Sequence, residues 1–272
     1  MRLHRYFGSH ADTTLREKRL LLAKVSAFND PFEFVHRFSG EYTVDHAEKD
    51  LQWMPEAGVH ASIEGLQDPN VLTDKSPRRR LAEFFVRSGG RPPVDPHYGH
   101  KLADDFLRLC CFSRPDVTPD SEILLRSHYA KSHQGVRLEF ELDEQNLPLS
   151  KVNYSRHRCA IEFSKAYDGN HTNEVLRQTF QTKALAWQYE NEVRLIINKD
   201  SAVKKPIPLG YKYYFPFDPS CVKSVDFGIN CDSGTIENVR SILKAEYPHV
   251  TTRKAFHHLE NYAIEYQSSD FA

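Results

Sequence analysis

Apolar and polar residues alternate in several short runs of this chain, and elsewhere apolar residues recur at helical spacing. "RLHRYF" at 2–7, "LRLCCFS" at 107–113, "GVRLEFELD" at 135–143 and "SVDFGIN" at 224–230 read as strands, with side chains pointing alternately to two faces. "SKVNYS" and "RHRCAIEFS" read as two shorter ones. Leu15, Arg19 and Leu22 fall at helical spacing, so "TLREKRLLLAKVSAF" is expected as a helix followed by a short strand. Further helices are expected in "SEILLRSHYAKSH" (121–133), from Thr172 towards the Glu-rich stretch near 190, and in "GTIENVRSILKAEYP". "VTTRKAFHHLENYAIEYQ" reads as a closing helix and strand.

Residues 36–108 are polar and Pro/Gly-punctuated, with helical pieces near 45–53, 78–88 and 99–109 and a loop at 88–96. They read as a helical insertion within one domain spanning 1–272. Strands and helices follow one another without strict alternation, which predicts an α+β fold. The expectation is a split, mostly antiparallel sheet flanked by helices.

Composition narrows the class. Hydrophobic residues at 40% and charged residues at 27% suit a globular protein with a substantial core. The net charge of −1 leaves no overall field to steer nucleic acid. A local basic run, "KSPRRR" at 75–80, reads as a solvated loop. No run approaches the ~20 apolar residues of a membrane helix, and "MRLHRYFGSH" lacks the apolar core of a signal peptide. Five cysteines without a C-x-x-C predict reduced thiols, a cytoplasmic setting and no metal site. Phosphate-loop and dinucleotide fingerprints are missing, as is a G-x-S-x-G elbow near "CCFS".

The candidate chemistry lies in "WQYENEVRLII" at 187–197. Read as one strand, it sets Glu190, Glu192 and Arg194 on one face, with same-face neighbours about 6.6 Å apart. Two carboxylates and a guanidinium there either form a solvated outer face or handle developing positive charge. In "RSHYAKSHQG", a helix places Tyr129 and His133 on one face and His128 with Lys131 or Ser132 on another. Tyr129 suits stacking on a planar ring, and His133 suits hydrogen bonding to ribose or phosphate. His4, Arg5 and Tyr6 in the first strand are candidates for the same site. Lys183 reads as a helix-surface lysine, with contact to a phosphate as the alternative. In "FNDPFEF", Asp30 either starts a turn or caps a helix with Glu33 at its third position. Asp30, Glu33, Glu190 and Glu192 around one Mg²⁺ would make a phosphodiesterase or nuclease.

"FNDPFE" (28–33), "CFS" (111–113), "HYAKSHQG" (128–135) and "KALAWQYENEVR" (183–194) occur in an order that resembles the bacterial family called domain of unknown function 2971. "SVDFGIN" resembles its C-terminal part. The family brings no activity with it. Its pattern usually has Met-Trp-Ser where this chain has Leu125-Arg126-Ser127, so an aromatic wall is expected to be missing.

The order of residues is also similar to ADP-ribosyltransferases. That resemblance implies NAD as substrate, His4 or Arg5 beside its adenylate ribose, and Ser113 or Tyr129 beside nicotinamide. It implies Glu192 as the late catalytic acid and Glu190 orienting an acceptor, with Tyr6, His128, His133 and Arg194 supporting NAD. A bacterial toxin or anti-phage defence effector follows as the expected role, with a macromolecular acceptor. A non-catalytic nucleotide- or protein-binding module is the alternative. Acceptor and oligomeric state are not legible.

Overall fold

The computed structural model describes residues 1–35, 37–64, 76–89, 103–166, 172–208 and 210–268. Two compact units divide the chain: one from Met1–Glu33, His100–Arg156 and Lys183–Ala272, the other from Phe34–Gly99 and His157–Thr182. Much of the segment expected as a helical insertion thus joins 157–182 in the second unit.

The first unit holds an eight-stranded sheet. In spatial order its strands are Ile264–Ser268, Thr251–His257, Val222–Phe227, Val136–Glu141, Arg2–Phe7, Leu107–Ser113, Glu192–Asn198 and Leu149–Lys151. Neighbours run antiparallel except Val222–Phe227 and Thr251–His257, a parallel pair crossed by the helix Ser233–Glu246. The mixed, mostly antiparallel architecture matches the sequence expectation.

Period-two alternation gives the sheet two different faces. Leu3, Leu138, Phe140, Val193, Leu195 and Val225 are buried in the main core. Their neighbours His4, Glu139, Ser113, Glu192 and Ser224 point the other way and are polar. Burying each large apolar side chain contributes roughly 1.5–3 kcal/mol, so the apolar face fixes the register and the polar face follows from it.

The expected helix followed by a short strand is present, but Arg19 and Leu22 belong to the strand: the helix is Ala11–Glu17, and Lys18 takes a left-handed conformation (φ 51°) that turns the chain into the strand Arg19–Leu22. That strand pairs with Gly210–Pro216, which pairs with Val203–Ile207. The expected closing helix near 250 is instead the strand Thr251–His257, and the expected closing strand is present as Ile264–Ser268, antiparallel to it. Thr251, Thr252 and Phe256 favour strand, and pairing with Val222–Phe227 overrides the helical reading. Of the piece expected at 99–109, residues 99–102 lie outside the described residues, 103–106 are helical, and Leu107 already begins a strand.

In the second unit, the helices Val44–Asp50, Glu56–Glu64 and Pro77–Arg87 enclose Ala47, Leu51, Val59, Leu81 and Ala82. The basic run corrects to a helix start: Ser76 caps it by accepting from Arg79 N, and Pro77 occupies its first turn. Arg79 pairs with Glu48 at 2.9 Å. Arg78 donates to the Leu51 and Met54 carbonyls at 3.0 and 2.9 Å. Residues 90–96 of the expected loop lie outside the described residues. Among the described residues, no helix is long and apolar enough to cross a membrane.

Candidate functional site

Five polar residues stand in register across five adjacent strands. Ser224 faces Glu139, Glu139 faces His4, His4 faces Ser113, and Ser113 faces Glu192. The strands Arg2–Phe7 and Leu107–Ser113 share only the pair His4–Ser113. Beyond it no further residue pairs join them, and Arg5 reaches across to donate to the Cys111 carbonyl at 3.0 Å. A cavity of about 300 Å³ lies at this fork. It is lined by His4, Arg5, Tyr6 and Ser113 from the two strands, and by Tyr129, Lys183, Glu190 and Glu192 from later segments.

The acidic stretch is not one continuous strand. Leu185–Glu190 forms a 3-10 helix, Asn191 adopts a left-handed conformation (φ 45°), and the strand begins at Glu192. Asn191 can hold that conformation because Arg114 Nε donates to its side-chain oxygen at 2.8 Å and Arg114 N donates to its carbonyl at 3.0 Å. Strand spacing therefore does not relate Glu190 to Glu192. A buried lysine does: Lys183 Nζ lies 2.6 Å from Glu190 and 2.9 Å from Glu192. The expectation of a surface lysine is overturned, since Lys183 comes from the strand Thr182–Ala184 and is 6% exposed.

Arg194 completes the cluster from behind. Its Nε donates to Glu192 at 2.7 Å, and its guanidinium also pairs with Glu33, both side chains being fully buried. Three carboxylates thus share two cations. Burial pushes the Glu33 carboxyl up to about 7, against the pull of Arg194 and Lys183. Burial likewise raises Glu190, with Lys183 opposing and Glu192 adding to the rise. Glu192 goes the other way: burial disfavours its charge, but Arg194 and Lys183 outweigh it and hold the carboxyl well below the usual range. The site therefore has a firmly ionised acid beside one that takes up a proton readily, a division of labour suited to acid–base chemistry.

Tyr129 ends the helix Pro119–Tyr129 and donates its hydroxyl to Glu190. Burial, then Glu190, raises its pKa strongly, so it acts as a neutral donor. Cys111 is also raised well above its usual value, first by burial and then by Glu192, which leaves it no thiolate for nucleophilic attack.

Of the expected site residues, the structure brings His4, Arg5, Tyr6, Ser113, Tyr129, Glu190 and Glu192 to one cavity. Arg194 supports Glu192 from behind. His128 and His133 are elsewhere. The helix stops at Tyr129, and Lys131, Ser132 and His133 follow with left-handed φ of 48–65°, so no shared helical face exists. His128 Nδ1 meets the Tyr189 hydroxyl at 2.8 Å, and His133 Nε2 meets Ser127 Oγ at 3.0 Å. His133 borders a different cavity of about 580 Å³. Arg126 does not face the fork either. It is fully buried and donates to the Tyr266 hydroxyl at 2.9–3.0 Å, so its exchange for Trp removes no wall of this cavity.

Residues 127–195 match the family described as Protein of unknown function (DUF2971). That segment carries the DUF2971 pattern. It holds Tyr129, Lys183, Glu190, Glu192 and Arg194, so most of the charged cluster lies in the matched stretch. No curated protein and no solved structure matches the chain significantly.

The four carboxylates considered for Mg²⁺ do not form one cation site. Asp30 Oδ1 accepts from Phe32 N at 2.9 Å, closing a turn rather than capping a helix. Lys183 already fills the space between the other three, 3.7 Å from Glu33. Among the described residues no group of His, Cys, Asp and Glu is arranged for a metal.

Proposed function

We propose that the fork cavity binds NAD and that the protein transfers or hydrolyses its ADP-ribosyl group. The observation that carries this reading is the row His4–Ser113–Glu192 at the mouth of a divided sheet, with Glu190 and Tyr129 beside it. The three strands are the ones an ADP-ribosyltransferase resemblance requires to meet, although Glu192 lies 188 residues after His4 (192 − 4). A cavity of about 300 Å³ is at the small end for ligand pockets, enough to enclose one nucleoside end of the dinucleotide.

Breaking the bond from nicotinamide to ribose sends the bonding pair with nicotinamide and leaves positive charge on the sugar. Glu192, held ionised and immobile by Arg194 and Lys183, stabilises that charge without reorganising. Glu190, which takes up a proton readily, accepts one from the attacking water or acceptor hydroxyl, and Tyr129 and Lys183 orient it. In this role the protein acts as a toxin or defence effector with a macromolecular acceptor.

One observation favours a second reading, binding without turnover. Glu192 is already paired with two cations, which weakens its pull on a cationic sugar. Nicotinamide release from NAD, measured with the wild-type chain and with Glu192→Gln, separates the two. Turnover that falls on the order of 10²-fold in the variant supports the enzyme. A thermal shift with NAD but no turnover in either protein supports the binding module. Neither shift nor turnover removes both.

A further inference from the structure

We infer that the outward face of the three-stranded sheet formed by Arg19–Leu22, Gly210–Pro216 and Val203–Ile207 binds single-stranded nucleic acid. This concerns a surface away from the charged cluster and does not depend on the reaction proposed above.

The chain as a whole carries −1, yet between Asp200 and Asp218 there is no acid and there are three lysines, Lys204, Lys205 and Lys212. Register decides where they point. Leu21 faces Tyr214, Tyr214 faces Val203, and Lys212 faces Lys205. Cross-strand partners share a face, so Leu21, Tyr214, Val203, Lys212 and Lys205 stand together with Arg19. Leu22 and Tyr213 point to the opposite face and are buried. The outward face is open: Leu21 and Val203 are each 45% exposed.

Its charge is one-sided. Glu17 pairs with both Arg19 and Lys205, at 2.5 and 3.2 Å, and Lys212 makes no ion pair among the described residues. Three cations therefore stand against one carboxylate. The Arg19 guanidinium lies 4.1 Å over the Tyr214 ring, which presents a planar cation backed by an aromatic. Cations for phosphates beside flat and apolar side chains for bases are what unpaired strands bind. A duplex offers its bases only through grooves, the wider of which admits a helix or a two-stranded ribbon rather than the open face of a three-stranded sheet.

A second copy of the chain fits less well. An isologous contact would set the same cations against themselves, and Pro206 removes a donor from the free edge. The lysines would then serve only to guard that edge against pairing.

Binding of fluorescein-labelled dT20 and rU20, followed by anisotropy without NAD, tests the inference. Three phosphate contacts predict a salt slope near −2, or roughly 20-fold weaker binding between 50 and 200 mM salt. Lys205→Glu/Lys212→Glu should abolish binding with an unchanged circular dichroism spectrum, and Tyr214→Ala should weaken it roughly tenfold. Lys244→Glu, an exposed helix position, should change affinity less than about twofold. The inference is overturned by absence of binding, by equal loss in Lys244→Glu, by equal affinity for a duplex, or by binding to phosphatidylserine vesicles instead of oligonucleotides.

Discussion

The carboxylate of Glu33 meets the guanidinium of Arg194 in the interior, 161 positions away in sequence, with neither side chain exposed to water. Through this contact the turn at 28–33 grips the strand that carries Glu192. Removing Glu33 leaves part of the buried Arg194 guanidinium unpaired, while Glu192 still holds its Nε. Glu33→Ala should therefore lose about 1–3 kcal/mol in urea unfolding, and Glu33→Gln, which keeps a hydrogen-bond acceptor, clearly less. Equal losses would mean that packing, not charge, makes the contact matter.

Stability should also depend on pH through the same residue. The folded value of Glu33 is about 7 against an ordinary 4.5, so the folded state favours its neutral form. That contribution is complete below pH 4.5 and is lost as pH rises through 7. The stability of wild type minus Glu33→Gln should fall by about 3 kcal/mol from pH 4.5 to 7. Glu192, held low, has the opposite sign: its contribution is present above 4.5 and fades as pH drops. Unfolding series at three pH values would show the Glu33 trend, and a flat difference would contradict it.

Tyr129→Phe removes the hydroxyl that donates to the Glu190 carboxylate. That hydrogen bond favours the ionised form, so its loss should raise the Glu190 pKa further and move the acidic limb of nicotinamide release to higher pH. At neutral pH, kcat/KM should fall roughly fivefold, the worth of about one net hydrogen bond. An unchanged limb would remove Glu190 as the base.

Gly228→Ala should be strongly destabilising. A Cβ there would come within 2.1 Å of the His133 carbonyl and 2.8 Å of the Gly135 carbonyl, both rigid backbone atoms. Asn230 N also donates to the His133 carbonyl at 3.0 Å, so this junction locks the left-handed run Lys131–His133. A loss of about 2 kcal/mol or more is expected in thermal or urea unfolding. A variant as stable as wild type would show that the run can relax.

The sequence made the sheet's interior readable because Leu3, Phe140 and Val193 alternate with polar neighbours in each strand. It also marked most of the cavity: Tyr6, Ser113, Glu190 and Glu192 all belong to stretches whose residue types invite chemistry. The burial of Lys183 is not legible locally, because it depends on the 3-10 turn that brings Glu190 and Glu192 back to it and on Glu33 from far away in the chain. His128 and His133 lie away from the cavity for the converse reason. Helical spacing in 121–133 is continuous, but left-handed φ at Lys131, Ser132 and His133, with Gly135 N donating to the Ala130 carbonyl at 2.8 Å, ends the helix at Tyr129. The strand pair Val203–Ile207 and Gly210–Pro216 is not legible locally, because its lysines and prolines mask a strand pattern that Arg19–Leu22 completes from far away.

The row from Ser224 to Glu192 has a consequence for how the protein matures. Each of its members is contributed by a different strand, and a slip by one residue in any of them would send its member to the greasy side. The fork is therefore not fully lined until residue 192, 188 positions after His4, has paired with the strand that carries Ser113 in the correct alignment.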